Sequence, residues 1–183
     1  MNHEIEKWIK KIQSGNPEYF NKIVERYAKL IFSLLYEMTN NYEDTKDLTQ
    51  ETFLKAFKNI GTYEGKSKFD TWLYRIAYNV GIDYWRRQRK RRFVDIDSIR
   101  KIDQAYSGRS NNNLYTGLNE VLQKGLQQLT QRQRAAVVLS YFHGFTIKEI
   151  GSVLGCSEAT VRVHIFRAFN KLRKELKGFK KGE

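Results

Sequence analysis

The stretch 146–171, TIKEIGSVLGCSEATVRVHIFRAFNK, decides the fold. Thr146 and Glu149 fit a capping box, in which a hydroxyl and a carboxylate satisfy each other's orphan N–H groups. From Thr146 a short helix turns Ile147, Ile150, Gly151 and Leu154 inward and ends at Gly155. Ser157 then caps a longer helix whose buried face is Val161, Ile165, Ala168, Leu172 and Leu176. A short helix, a glycine turn and a long helix make the helix-turn-helix plan, with Gly151 allowing close approach and Gly155 the turn. In that plan the second helix lies in the DNA major groove with its N-terminal half against base edges. Its outer side presents Glu158, Arg162, Phe166, Arg167 and Lys171. Arginine suits guanine edges and phosphates, and phenylalanine suits a thymine methyl. A solvated charged face on a helical hairpin is the plainer alternative.

Working outward, Thr130-Gln131-Arg132-Gln133 is a second capping box, opening a helix with Ala135, Val138 and Phe142 inward that closes near Gly144. Residues 93–118 lack periodicity and contain the polar run Gly108-Arg109-Ser110-Asn111-Asn112-Asn113, which reads as a flexible linker. Ahead of it everything is helical. Ile5, Trp8, Ile9 and Ile12 follow helical spacing, and Asn16-Pro17 starts the next helix with Asn as N-cap. One stripe runs through Phe20, Ile23, Val24, Tyr27, Leu30, Ile31, Leu34, Leu35 and Met38 to Asn40-Asn41. A third helix, from about Glu43 to Ile60, buries Leu48, Phe53, Ala56, Phe57 and Ile60, and Gly61 and Gly65 bracket a loop. The helix from Phe69 to about Arg87 is apolar on two sides: Phe69, Trp72, Leu73, Ile76, Ala77, Val80 and Tyr84, and again Tyr74, Tyr78, Ile82 and Trp85. Such a helix is ordinarily buried between neighbours, although aromatic rings also stack on unpaired bases. The expectation is an all-α chain of two small domains, 1–92 and 119–178, with the linker 93–118 between them and a frayed tail from Lys177.

Composition agrees. One proline and 12 glycines in 183 residues leave little room for a strand-and-turn architecture. No apolar run reaches the length of about 18 that a membrane span needs, and the start lacks the order of a signal peptide. Cys156 is the only cysteine, which excludes an internal disulfide and fits a cytoplasmic location. The net charge of +13 is uneven. Residues 1–85 carry 12 basic and 12 acidic side chains, residues 86–118 carry 9 and 3, and residues 119–183 carry 12 and 5. A neutral front and a basic rear point to one polyanion-facing side. Nucleic acid fits it better than an anionic membrane, because the basic stretch Arg86-Arg87-Gln88-Arg89-Lys90-Arg91-Arg92 is not part of a helix with one strongly apolar face. That stretch exceeds what a helix C-terminus needs and suits phosphate contact, which carries no sequence information.

Nothing supports catalysis. His3, His143 and His164 lie far apart without metal-spaced partners, and there is no phosphate loop or nucleophile elbow. Cys156 reads as a small buried residue, and no cofactor or metal is expected. Glu43, Asp44, Asp47 and Glu51 make an acidic helix face that is either solvated or bound by a partner.

Three segments together resemble the extracytoplasmic-function class of bacterial sigma factors. Asp47-Leu48-Thr49-Gln50-Glu51-Thr52-Phe53-Leu54-Lys55-Ala56-Phe57 resembles its DLxQExFxxAF helix. Phe69-Asp70-Thr71-Trp72-Leu73-Tyr74-Arg75-Ile76-Ala77-Tyr78-Asn79 with Ile82-Asp83-Tyr84-Trp85-Arg86-Arg87 resembles its FxTWLYRIAxN…IDxxRR segment. Thr160-Val161-Arg162 and Arg167-Ala168 are similar to its region 4. The resemblance implies a non-enzymatic subunit that binds core RNA polymerase and selects promoters, through region 2 (1–92) and region 4 (119–178). It implies that Asp47, Gln50, Glu51 and Phe53 dock on the clamp helices of the largest polymerase subunit. It implies that Lys66, Ser67, Lys68, Asn79, Asp83, Arg86 and Arg87 meet the −10 element, one base of which is held in a loop pocket. Ser157, Glu158, Thr160, Arg162, Val163, Phe166, Arg167 and Lys171 would read the −35 element, with the rear domain touching the polymerase flap. An anti-sigma factor is a further possible partner. Two departures stand out. Arg75-Ile76 replace the tryptophan pair of primary sigma factors, which implies weaker melting and stricter promoter choice. Val163-His164 replace the Ser-Arg of many relatives, which implies a non-standard −35 sequence. A stand-alone helix-turn-helix regulator is the competing reading, and it has no use for the 47–57 motif.

Overall fold

A computed structural model describes residues 2–94, 125–126 and 128–179. Every regular element among them is helical. The chain divides into two compact units, Met1–Tyr84 and Trp85–Glu183.

In the first unit α1 (Asn2–Gln13) buries Ile5, Ile9 and Ile12. Pro17 opens a 3₁₀ turn, Pro17–Tyr19, that runs into α2 (Phe20–Thr39). Asn16 holds the N-cap position but makes no side-chain cap bond; its amide turns back to the Lys11 carbonyl and Ser14 Oγ instead. At the other end Asn40 takes the left-handed conformation (φ 52°) that closes the helix, and the Asn41 side chain accepts the Asp44 N–H at 3.0 Å to start α3 (Tyr42–Asn59). A 3₁₀ turn, Ile60–Thr62, and a loop lead to α4 (Phe69–Val94), whose residues from Trp85 onward belong to the second unit. Ile23, Ile31, Leu34, Leu35, Met38, Leu73 and Val80 are fully enclosed, each contributing about 1.5–3 kcal/mol.

Both apolar sides of α4 are used structurally in its first half: Leu73, Ala77 and Val80 are buried, and so are Tyr74 and Tyr78. Burial, then the nearby Asp70 carboxylate, pushes the Tyr74 phenol far above its ordinary range. These tyrosines are core. Trp72 and Ile76 are only half-buried, short of the enclosed position expected of them. The helix also continues past Arg87 to Val94, taking in the whole basic stretch and the first two residues of the expected linker. Arginine, lysine and glutamine are strong helix formers, and no glycine or proline interrupts them. The rest of the expected linker lies outside the described residues.

In the second unit α5 (Gln131–Tyr141), α6 (Ile147–Leu154) and α7 (Glu158–Phe179) pack on one another. Both capping boxes form, on Thr130 with Gln133 and on Thr146 with Glu149. Leu126, Leu129, Val137, Ala168 and Leu172 make a shared core. The buried Arg134 guanidinium donates to the Leu126 carbonyl at 2.9 Å. Phe142, expected inward, is 65% exposed: it follows the last helical residue, where the turn ends the helical phase that would have aimed it at the core. Ile147 and Ile165 are half-buried, and Leu176 lies where no side chain is described. Cys156 is half-buried, not enclosed. The final helix runs to Phe179, so the frayed tail expected from Lys177 does not begin there, and residues 180–183 lie outside the described part.

Candidate nucleic-acid and partner interfaces

The helix-turn-helix is built around two glycines. A Cβ at position 151 would lie 2.8 Å from the Cys156 carbonyl oxygen, so only glycine lets α6 meet the turn this closely. Gly155 ends α6 at φ 65°, the left-handed region that disfavours a side chain. Ser157 Oγ accepts the Thr160 N–H at 3.2 Å and shares a 2.9 Å bond with the Thr160 hydroxyl. Both hydroxyls are therefore committed to the cap of α7. Val161, Ala168 and Leu172 face the core, and Glu158, Arg162, Val163, Phe166 and Arg167 are exposed on the other side. Arg162 is only loosely paired with Glu158, at 3.9 Å. Lys171 is set apart: it is half-buried and its ammonium donates to the Gln128 carbonyl at 3.2 Å. His164 is half-buried, and burial, then Arg132 and Arg167, hold its pKa below the ordinary value.

The loop between the Ile60–Thr62 turn and α4 is held from two directions. Tyr63 donates its hydroxyl to the Ser67 carbonyl at 2.6 Å, and its ring meets Phe69 and Trp72 at 5.6 and 5.3 Å. From α1, Gln13 Nε2 donates to the carbonyls of Ile60 and Tyr63, both at 3.0 Å. The result is a cavity of about 630 Å³ with Lys66, Ser67 and Lys68 on one wall and Glu6, Lys10 and Gln13 of α1 on the other. The α1 wall depends on contacts some 47–50 residues apart, which no local pattern reveals. Asp70, next to the loop, accepts the Tyr27 hydroxyl; burial, then this bond, drives that phenol far upward. Along α4, Asn79, Asp83, Arg86 and Arg87 are spaced as one helical stripe, with Asp83 half-buried and the others exposed.

On α3, Asp47 and Gln50 are exposed, and Glu51 pairs with Lys55 at 2.8 Å. Asp44 is not available in the same way, because it accepts the Tyr84 hydroxyl at 2.7 Å. Two expectations change here. Phe53 is only 7% exposed and packs edge-on against Phe20, so it supports the surface without presenting itself. Phe57, expected in the core, is 43% exposed, and its neighbour Leu54 is 61% exposed. They border an apolar groove of about 540 Å³ between α2 and α3, continued by Val24, Ala28 and Phe32. The sequence signal for that groove was the spacing Phe20, Val24, Ala28, Phe32, a second stripe on α2. Leu30, placed in the main stripe, is likewise largely exposed.

No group of His, Cys, Asp or Glu side chains among the described residues is placed to hold a metal ion. No described helix is long and apolar enough to cross a membrane.

An all-helical first unit and a helix-turn-helix second unit are the plan of a two-part promoter-reading protein, and comparison with known proteins agrees. Residues 23–91 match the model of sigma-70 region 2, and residues 119–172 match that of sigma-70 region 4. The chain is 30% identical to the ECF RNA polymerase sigma factor SigW of Bacillus subtilis, over 94% of this chain and 97% of that one. It is 31% identical to the ECF RNA polymerase sigma-E factor of Escherichia coli, over 87% of each. In fold it matches the sigma factor RpoE of Bartonella quintana, solved with the anti-sigma factor NepR (TM-score 0.69, 24% identity, 86% of this chain and 96% of that one). It matches CnrH, solved with the cytosolic domain of CnrY, at the same TM-score and identity, over 93% and 96%. The chain belongs to the extracytoplasmic-function sigma factors. It is an alternative sigma factor, which binds core RNA polymerase and directs promoter-specific initiation. The stand-alone regulator reading is not favoured, since the region 2 match covers the 47–57 motif.

Proposed function

We propose that the two surfaces divide the work as follows. Within a region 2 unit spanning 1–92, Asp47, Gln50 and Glu51 on α3 dock on the clamp helices of the largest polymerase subunit, seated by Phe53 beneath them. The cavity between α1 and the Lys66–Lys68 loop receives an unstacked nontemplate base of the −10 element. The stripe Asn79, Asp83, Arg86 and Arg87 follows that strand. Within a region 4 unit spanning 119–178, Arg162, Val163, Phe166 and Arg167 read the −35 duplex while the cap of Ser157 and Thr160 sets the entry of α7. Lys171, tied to Gln128, contributes to the local potential more than to base contact. The protein catalyses no step itself and works in the cytoplasm with polymerase on DNA.

The observation that carries this reading is the exposed side of α7, where Arg162, Phe166 and Arg167 project opposite a sealed core of Val161, Ala168 and Leu172. The apolar groove beside Leu54 and Phe57 supports an anti-sigma factor as a further partner, since RpoE, a solved structure of this fold, was captured with the anti-sigma factor NepR. Run-off transcription on fragmented genomic DNA, with core polymerase and this protein, tests the assignment. Discrete start sites preceded by a shared −10 and −35 pair are expected, and transcripts indistinguishable from those of core enzyme alone would overturn it.

A further inference from the structure

Ala159, Val163 and Phe166 recur at i, i+4 and i+7 on α7, so they lie in one row along the helix. All three are exposed, Val163 at 43% and Phe166 at 67%. This row is not the core stripe; the core stripe is Val161, Ala168 and Leu172 on the opposite side. Arg162 borders the row on one flank and Arg167 on the other. An exposed apolar row between two guanidiniums has little to gain from a protein groove, because docking there would strand both cations. A DNA major groove accommodates both features together. The arginines reach phosphates or guanine edges, and the apolar row meets the only apolar group that the groove displays, the thymine C5 methyl.

From this we infer that Val163 and Phe166 form a methyl-reading strip, and that the −35 element of this sigma factor is chosen in part by thymines placed opposite it. The inference rests on the −35 reading proposed above and adds its chemistry. Position 163 matters most. A serine there would offer the groove a hydroxyl that bonds to several bases, whereas valine offers only a surface to bury. Valine therefore trades a hydrogen bond for methyl contact, which makes the thymine preference a property of this chain's own residues. Ala159, one turn earlier, keeps the strip thin enough for the helix to seat deeply.

The experiment uses full-length protein assembled with core polymerase on a promoter recovered from the run-off selection. Each −35 thymine is replaced in turn by deoxyuridine, which removes the C5 methyl and leaves every hydrogen-bonding group in place. Promoter binding is measured beside ordinary base-pair substitutions at the same positions. One or two deoxyuridine positions should weaken binding about fourfold each, the value of burying one methyl. With Val163→Ser or Phe166→Asn, thymine and deoxyuridine promoters should bind alike at the matching position. Both side chains are exposed, so these variants keep the core intact, and an unchanged thermal transition verifies it. If base-pair substitutions weaken binding but no deoxyuridine does, the methyl strip is overturned and −35 reading stands. If neither substitution matters, the −35 reading has failed and the strip fails with it.

Discussion

Helices α3 and α7 both expose large apolar side chains, yet they do so on surfaces of opposite character. On α3, Leu54 and Phe57 border a concave groove completed by α2, with a neutral unit around it. On α7, Val163 and Phe166 stand on the open side of a single helix between Arg162 and Arg167, in a strongly basic half of the chain. A concave apolar face with one lysine, Lys46, in its lining suits another protein's helix; a convex one framed by two arginines suits a duplex. Exposure of hydrophobic residues therefore says little until curvature and charge are read beside it.

The largest expected effect tests the protein-facing half. Reversing Asp47 and Glu51 together to lysine should weaken binding to core polymerase about 100-fold, because both carboxylates would be replaced by like charge across an interface. Circular dichroism should remain helical, since neither side chain enters the core. Unchanged affinity in a titration with core enzyme would remove α3 from the docking surface and erase the contrast with α7.

The DNA-facing half should respond less steeply but more selectively. Arg162→Ala should cost about 1–3 kcal/mol and relax preference at one or two −35 positions in a library selected with the mutant holoenzyme. Neutralising Arg89 and Lys90 should instead weaken all promoters evenly and lower the salt slope by about 2. A selected −35 logo unchanged by Arg162→Ala would show that this side of α7 does not face the groove.

A smaller effect is expected from the brace on the Lys66–Lys68 loop, proposed above to receive a −10 base. Gln13→Ala removes two hydrogen bonds to the loop backbone, worth about 0.5–1.5 kcal/mol each net of the water bonds they replace. Opening of a duplex promoter should slow severalfold, while a template already mismatched over the −10 region keeps part of the defect, because the loop must still hold a base. Affinity for core enzyme should not change. A loss of polymerase binding equal to that of the Asp47 and Glu51 variant would mean that Gln13 supports the whole unit and not the loop alone.

These surfaces were unequally legible in the sequence. Caps were readable because they are local: Thr130 with Gln133, Thr146 with Glu149, and the Asn40-Asn41 junction involve side chains that bond within a few residues of themselves. The two sides of α7 were readable for the same reason, since one helix with a strong stripe fixes its own inside and outside. Periodicity fixes a phase but not what lies across from it. That is why Phe57, correctly phased with Phe53, sits at the rim of a groove in place of the core, and why Phe142 points outward once α5 has ended. Gln13 bracing the loop at Ile60 and Tyr63 needed the tertiary structure, because nothing near Gln13 in sequence signals a partner that far along the chain. The continuation of α4 to Val94 was hidden by charge: six cations read as a surface feature and mask an unbroken run of good helix formers.

The smallest effect separates the two units by pH. His143 and His164 both belong to the second unit, and burial lowers the pKa of each; for His164, Arg132 and Arg167 add to the depression. A histidine whose folded pKa lies below its unfolded value binds fewer protons when folded. Stability then rises with pH, is fully present above the unfolded pKa of about 6.5, and is lost as pH falls through that value toward the folded one. The second unit, which holds both, should therefore lose stability as pH falls below about 6.5. His164→Gln keeps a polar side chain of similar reach and should flatten part of the decline, measured as the midpoint of thermal unfolding against pH. The shift should be modest, because His164 is only partly enclosed and solvent screens its guanidinium neighbours. A midpoint for the variant that falls as steeply as for the parent would assign the acid sensitivity to His143, the more deeply set of the two. It would also leave the neutral state of His164 without a role in how α7 stands beside its arginines.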